Sequence, residues 1–405
     1  MTTVSSAQDR TAHEGPNGLP SLPLIETPEQ KLLRDSVSAI AGRFGPDYFQ
    51  RIVDTGEKAT EFWTALAQGG FTGVHLPEEY GGGGGGLAAL STVVEEAAAA
   101  GVPPLSAVFS SGVNGTILAQ HGSAEQKDRW LRGLANGAAR SAFAITEPDA
   151  GTNSYAVTTT ARRVGGDWVI SGKKYYITGI DVADFVIVVA RTATDEAAGR
   201  ARLSLFIVDT DAPGLSHQPL PTALQTPEKS STVYFDDVMV GPDRLLGAEH
   251  HGLRAAFVGI NAERILVSAI CTGVGRYALN KAVAYARGRS VWGVPIGSHQ
   301  AIAHPLAAGK IKLESARLLT QKAAMLYDAG LDPGDWGNMA KLEGVDAGLD
   351  CLDAAIQTHG GNGVALESQL SNYWFLLRML KIGPVSKEMI LNFVAQNSLG
   401  LPRSY

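Results

Sequence analysis

Cysteine is nearly missing from this 405-residue chain: it has two, Cys271 and Cys351, which form neither a CxxC pair nor a disulfide framework. That usage fits a reducing cytoplasm, so Asn114-Gly115-Thr116 reads as a chance sequon. Charge is sparse too, at 18% Asp, Glu, Lys and Arg with a net charge of -6. A strongly basic face is hard to build from that balance, which argues against nucleic-acid binding. No uninterrupted run of about 18 apolar residues offers a membrane span, and the N-terminus has no basic region followed by an apolar run. The nine histidines come without HExxH, paired cysteines or a carboxylate cluster at ligand spacing, so no metal is expected. Gly-x-Ser-x-Gly is also missing, which removes the basis for an esterase elbow.

What is there is a hydrophobic content of 45%, ordinary for a globular protein and, at this length, enough for roughly two or three domains. Residues 1–26 carry few bulky apolar side chains before Leu22, Leu24 and Ile25 and are expected to form a flexible tail. Thr27-Pro28-Glu29-Gln30 has the make-up of a helix start, with Thr27 as cap, Pro28 in the first turn and Gln30 closing a capping box. The helical period that follows is stopped at Gly45-Pro46. Further helices are predicted near 60–68, 87–100, 105–120 and 124–136, making 27–140 a helical domain.

From 141 to 245 the pattern is β-rich, with runs at 156–164, 168–170, 175–178, 185–190, 203–208 and 232–235. Gly165-Gly166 supplies a hairpin turn between the first two. Helical periodicity returns over 252–287, 299–329, 333–358 and 384–396, so 246–405 reads as a second helical domain. This α-β-α order predicts an α+β protein and not a Rossmann alternation. The Gly81 to Gly86 run contains GxGxxG, yet it follows Pro77-Glu78-Glu79-Tyr80 instead of a strand and is read as a loop.

Two segments carry chemistry. Phe143-Ala144-Ile145-Thr146-Glu147-Pro148-Asp149-Ala150-Gly151-Thr152-Asn153 lies where helix gives way to strand and ends in turn residues that expose backbone N–H groups. By itself it fits a domain-junction turn equally well. Gly172-Lys173-Lys174-Tyr175-Tyr176-Ile177-Thr178-Gly179 is a strand with aromatic and hydroxyl side chains. On neighbouring strands the two would form a platform for a flat cofactor.

FAITEPDAGTN and GKKYYITG resemble the flavin-contacting motifs of acyl-CoA dehydrogenases, whose α-β-α order is the one found here. Arg289-Ser290-Val291-Trp292-Gly293 with His299-Gln300 resembles that family's RxxFG…Q segment, and Gln357-Thr358-His359-Gly360-Gly361-Asn362-Gly363 its QxxGGxG segment. The resemblance covers residues 28–405. It implies a three-domain fold: an N-terminal helical domain, a middle β-domain and a C-terminal four-helix bundle. It also implies FAD, with Phe143, Ile145, Thr146, Tyr176 and Thr178 on the isoalloxazine and ribityl part and Thr152 near the CoA thioester arm. Arg289, Trp292, Gln357, Gly360 and Gly361 would meet the adenosine and pyrophosphate part of FAD bound mainly by a neighbouring subunit. A homotetramer or homodimer, an acyl-CoA substrate and electron-transfer flavoprotein as acceptor follow from the same resemblance.

Removing a Cα proton needs a carboxylate opposite the flavin. Many family members carry that Glu in a YEGT motif, but counting from Gly363 without a gap puts Pro384 of Gly383-Pro384-Val385-Ser386 there. A second branch, which includes isovaleryl-CoA dehydrogenase, places Glu-Arg on the long helix after the β-domain. Asn261-Ala262-Glu263-Arg264-Ile265-Leu266 matches it, so Glu263 is the expected base and Arg264 its substrate-binding companion. The bland alternative for Glu263 is a surface ion pair; Glu367 and Glu388 are off register. Two departures stand out. Tyr373-Trp374-Phe375-Leu376-Leu377-Arg378 replaces YWRDAR, and Pro384 lacks the N–H that would polarise the thioester carbonyl, so a neighbouring amide such as that of Val385 must substitute. Within the resemblance the substrate can also be a carrier-bound acyl group, and the chemistry that of a flavin oxidase or monooxygenase. A flavin-binding scaffold without catalysis is the third alternative.

Overall fold

A computed structural model describes residues 26–197 and 199–403. The expected tail falls on 1–25, outside the described residues, and on Glu26. The first helix, α1 (Pro28–Ala41), starts as its sequence dictates: Thr27 Oγ1 accepts from the Gln30 N–H at 3.2 Å and the Gln30 side chain accepts from the Thr27 N–H at 3.0 Å. Gly45-Pro46 behaves differently from the expected stop. It opens a further helix, α2 (Gly45–Thr55), because Pro46 in the first turn needs no donor. Then come α3 (Thr60–Gln68) and α4 (Gly86–Ala99). The glycine run before α4 is a loop, and the Asp328 carboxylate caps the helix by accepting from the Leu87 and Ala88 N–H groups at 2.6 and 3.0 Å. The helix predicted over 105–120 is wound as a π-helix at Ala107–Gly115 before α5 (Thr116–His121). The 124–136 segment is broken into α6 (Ala124–Gln126), a π turn and α7 (Arg132–Ala135).

The β-domain contains β1 (Ser141–Ala144), β2 (Thr160–Val164), β3 (Asp167–Thr178), β4 (Phe185–Asp195), β5 (Arg200–Asp209), β6 (Leu215–Pro219), β7 (Ser230–Val240) and β8 (Leu245–Leu246). The sheet order is β6-β7-β3-β2-β4-β5-β8, with β1 pairing parallel to β4. The Gly165-Gly166 hairpin is present, with Val164 opposite Asp167. The runs at 168–170 and 175–178 are one strand, β3, interrupted by register shifts against β7. The two motif segments are not ladder neighbours as expected. They meet where the Tyr175 N–H donates to the Thr146 carbonyl at 2.8 Å.

Helix returns with α8 (Gly252–Gly288), followed by a hairpin of β9 (Ser290–Val291) and β10 (Val294–Pro295). Beyond it lie α9 (Gln300–Asp328), α10 (Gly334–His359), α11 (Trp374–Ile382) and α12 (Lys387–Phe393). Three long helices therefore make most of the C-terminal domain, with the short α11 and α12 packed on α10. By length and composition α8 is apolar enough to cross a bilayer, although no unbroken apolar run announced it. In the fold, 78% of its apolar window is buried in protein. Glu95 and Glu96 on α4 tie the helical domains together: Arg34 and Arg276 pair with Glu96, and Arg276 and Arg317 with Glu95.

Small residues let α8 lie against its neighbours at backbone distance. A Cβ on Gly348 of α10 would sit 2.5 Å from the Cys271 carbonyl, and one on Gly344 would collide with Ser268. Gly348→Ala is therefore expected to destabilise the protein by about 1–3 kcal/mol through overpacking, measured as a lower urea midpoint at an unchanged m-value.

Candidate active site

The end of β1 and the turn after it are built on a buried ion pair. Glu147 accepts from the Thr158 N–H (2.7 Å), the Thr158 hydroxyl (2.6 Å), the Thr159 N–H (2.9 Å) and the Lys174 ammonium (2.9 Å). Lys174 is 0% exposed and also donates to the Ile145 carbonyl at 3.0 Å. Burial would raise the Glu147 pKa, but the Lys174 charge and these hydrogen bonds outweigh it and hold the carboxyl at about 2. Burial lowers Lys174 to about 8, with Glu147 opposing the shift, so the ammonium persists at neutral pH. Neither residue was singled out from sequence. Each shares its motif with a second charge, Asp149 beside Glu147 and Lys173 beside Lys174, and nothing local says which of the two is buried.

That pair aims the rest. Phe143, Ile145 and Thr146 are half-buried at the end of β1. At the second register shift of β3, Tyr176 adopts φ 58 and projects its ring to 55% exposure, edge-on to Tyr175 with centroids 4.4 Å apart. A bulky residue at positive φ is sterically strained, and such strain gathers at functional sites. Thr178 Oγ1 lies 3.1 Å from Ser230 Oγ. Thr152 is exposed on the turn beyond Gly151, where a Cβ would meet nothing within 4 Å. A ring plane bordered by apolar side chains, a strained tyrosine and hydroxyls suits a flat heterocycle with polar edges, so these residues fit the flavin that the motifs imply.

Glu263 lies on α8 facing inward at 8% exposure. Ile260, one turn earlier, belongs to a hydrophobic cluster against which Phe143, Ile145 and Val385 also pack. The stretch of α8 before Glu263 therefore shares a core with the β1 motif and with Val385, and Glu263 feels the charge of Lys341, whose ammonium donates to the Val385 carbonyl. Among the described residues, none donates a hydrogen bond to the Glu263 carboxylate or pairs with it within 4.0 Å. Desolvation pushes its pKa up to about 7, against the pull of the Lys341 and Arg264 charges. Glu263 is thus no surface ion pair. Arg264 is buried as well, and its N–H groups are engaged by Asn338 (2.6 Å), the Ile260 carbonyl (3.4 Å) and Asn261. Glu367 and Glu388 are exposed.

Lys341, 1% exposed on α10, escaped the sequence reading too, although a signal existed. Gly344, Val345, Gly348 and Leu352 lie three, four, seven and eleven positions on and are all buried, which puts the lysine on an interior stripe. Its ammonium donates to the Val385 carbonyl at 2.7 Å and the Lys381 carbonyl at 3.3 Å. The Val385 N–H itself makes no hydrogen bond among the described residues. Leu376, in place of an expected acidic residue, is fully buried in the core, while Phe375 lies half-exposed against Trp374 with centroids 5.2 Å apart.

The remaining motif residues lie elsewhere. Arg289, Gln357, Gly360 and Gly361 are exposed and Trp292 is 87% exposed at the tip of the β9–β10 hairpin. They gather at the far end of α8 and α10, where Tyr285 stacks on His359 with centroids 4.3 Å apart. At 1.5 Å per residue Arg289 stands about 39 Å along the helix from Glu263. Gly360 has φ 59 with open space where a Cβ would point, which leaves its backbone accessible.

Three family models match the chain: "Acyl-CoA dehydrogenase, N-terminal domain" over residues 27–138, "middle domain" over 142–238 and "C-terminal domain" over 250–399. Acyl-CoA dehydrogenase FadE12 of Mycobacterium tuberculosis is 48% identical over 383 residues, 94% of this chain and 98% of that protein. Butyryl-CoA dehydrogenase of Megasphaera elsdenii superposes with a TM-score of 0.88 at 26% identity, covering 93% of this chain and 100% of the other. A structure described as the electron transferring flavoprotein of Acidaminococcus fermentans gives 0.89 at 27% identity, with coverage of 93% and 100%.

Lys174→Met leaves the Glu147 carboxylate buried without its cation. It is expected to lower stability by about 3–5 kcal/mol and to release the flavin, read from denaturant unfolding and from the 450-nm absorbance retained after gel filtration.

Proposed function

This chain belongs to the acyl-CoA dehydrogenase family and is an FAD-dependent oxidoreductase, and from that premise we propose that it oxidises the α,β carbon–carbon bond of an acyl-CoA thioester with Glu263 as the base. The observation that carries the reading is a desolvated carboxylate with a pKa near 7, one turn beyond Ile260, whose hydrophobic cluster also takes in Phe143, Ile145 and Val385. A carboxylate held in that range is deprotonated often enough at neutral pH to act and basic enough to take a proton from carbon. Glu263 takes the Cα proton and becomes the neutral acid, which its apolar surroundings favour. Bound FAD supplies the two-electron acceptor for the hydride that leaves Cβ, so the product is the trans-2-enoyl thioester. Since Pro384 has no N–H, the Val385 amide is the donor assigned to the thioester carbonyl. Thr152 is assigned to the thioester arm. Arg264, its N–H groups engaged by Asn338, Asn261 and Ile260, supports the helix at the base more than it reaches substrate.

Burial of Leu376 in the core supports the view that losing the family's charged pair is a packing change, and this disfavours a silent scaffold. The FAD motif residues form two groups, one on β1 and β3 and one beyond α8 and at the end of α10, which supports a shared cofactor in a homodimer or homotetramer. Electron-transfer flavoprotein is the proposed acceptor, supported by the family resemblance and by the similar structure described under that name.

Anaerobic titration of the yellow holoenzyme with a panel of acyl thioesters tests the reading: at least one bleaches the flavin, and carrier-bound esters and oxygen consumption distinguish the alternative substrate and chemistry. Glu263→Gln is expected to slow bleaching by about 10²–10⁴-fold with flavin content intact. Because the raised pKa keeps Glu263 protonated in acid, the parent rate rises with pH through about 7. Bleaching by Glu263→Gln at the parent rate would refute the assignment. Arg289→Ala, remote from the base, is expected to weaken FAD retention about tenfold or more without shifting the unfolding midpoint of the apoprotein.

A further inference from the structure

Lys341 is a fully buried lysine with no carboxylate within ion-pair distance among the described residues, and an apolar side chain would fill its place at less desolvation cost. Its two hydrogen bonds go to backbone carbonyls on either side of Pro384. The Lys381 carbonyl belongs to the last turn of α11, which has no partner within the helix, and the Val385 carbonyl lies beyond the proline. One ammonium therefore joins α10 to the connection between α11 and α12. The α10 backbone at this point is itself fixed to α8, because Ser268 Oγ donates to the Ala340 carbonyl at 2.8 Å. Glu263 lies one and a half turns before Ser268 on α8.

We propose that Lys341 is a positioning residue of the dehydrogenation site: its buried ammonium holds the 381–385 segment, and with it the Val385 amide, in fixed register with the Glu263 carboxylate. This rests on Glu263 being the base. The charges facing the pair come from three directions. Arg264 on α8 favours ionised Glu263 and opposes charged Lys341, Asp346 on α10 favours charged Lys341, and Asp332 before α10 acts on Arg264. The Cys271 thiol, pushed up to about 12 by burial, is neutral at physiological pH. Lys341 is thus both a mechanical tether and a cation that keeps Glu263 from being still harder to ionise.

The test compares Lys341→Met and Lys341→Arg with the parent as holoenzymes. Hydrogen–deuterium exchange over 379–389 is expected to accelerate about tenfold or more in Lys341→Met, the loss of charge-assisted hydrogen bonds, while 252–288 keeps its protection. The acidic limb of the flavin-reduction rate moves to higher pH by on the order of one unit, because removing a nearby cation disfavours ionised Glu263. Maximal reduction falls about 10²-fold with a smaller change in KM. Lys341→Arg, which keeps the cation, returns the limb toward the parent. Unchanged exchange together with an unchanged limb in Lys341→Met overturns the proposal. Should Lys341→Met not fold, the Glu263→Gln/Lys341→Met pair, which leaves neither charge buried alone, decides by exchange: parent-like protection over 379–389 overturns the tether. Exchange needs no substrate, so a failure of Glu263 as base, seen in the bleaching of Glu263→Gln, is told apart from a failure of Lys341.

Discussion

The backbone-close packing of α8 against its neighbours is the constraint on which the site depends. Gly112 before α5 lies against Leu266, Gly259 against Val113 and Ile117, Gly273 against the Glu95 carbonyl, and Gly344 and Gly348 against Ser268 and Cys271. These contacts exclude water along most of the helix. A glutamate placed on that helix is desolvated as a direct consequence, and desolvation is what gives Glu263 a proton affinity far above that of a surface carboxylate. Ordinary core packing is therefore the source of the unusual chemistry.

Buried carboxylates in this protein are compensated in different ways. Glu147 is fully satisfied by Lys174 and two threonines, and the result is a rigid junction under the flavin motif. Glu95 and Glu96 share three arginines and fasten helices α1, α4, α8 and α9. Glu263 has no contact partner among the described residues, only cations at longer range. A fully paired carboxylate is held ionised and is a poor base, whereas an unpaired one is destabilised when charged and is ready to accept a proton.

The two ends of α8 do different work. Its first half carries Glu263 and shares a core with Phe143, Ile145 and Val385; its last turn leads through Arg289 into the exposed Trp292 hairpin. A straight helix of 37 residues keeps these groups far apart within one chain. Such a division is sensible when the far end serves a neighbouring subunit.

The order of domains, the long C-terminal helices, the capping box at Thr27 and the inclusion of Glu263 in a helical motif were legible in sequence, because each rests on local periodicity or short-range chemistry. Gly45-Pro46 misled because the same dipeptide ends one helix and begins another, and local signals do not say which. The joining of two β-runs into β3, and the meeting of the flavin motifs through Thr146 and Tyr175 instead of a shared ladder, depend on partners far away in the chain. Sequence by itself determined the family motifs and the order of helices, strands and helices. Tertiary structure alone decided that Glu263 is desolvated, with no contact partner among the described residues, that Glu147 pairs with Lys174, and that Lys341 reaches across Pro384. Desolvation and ion pairing are properties of what surrounds a charge, and those surroundings are assembled from segments far apart in the chain, as Glu95 and Gly273 are.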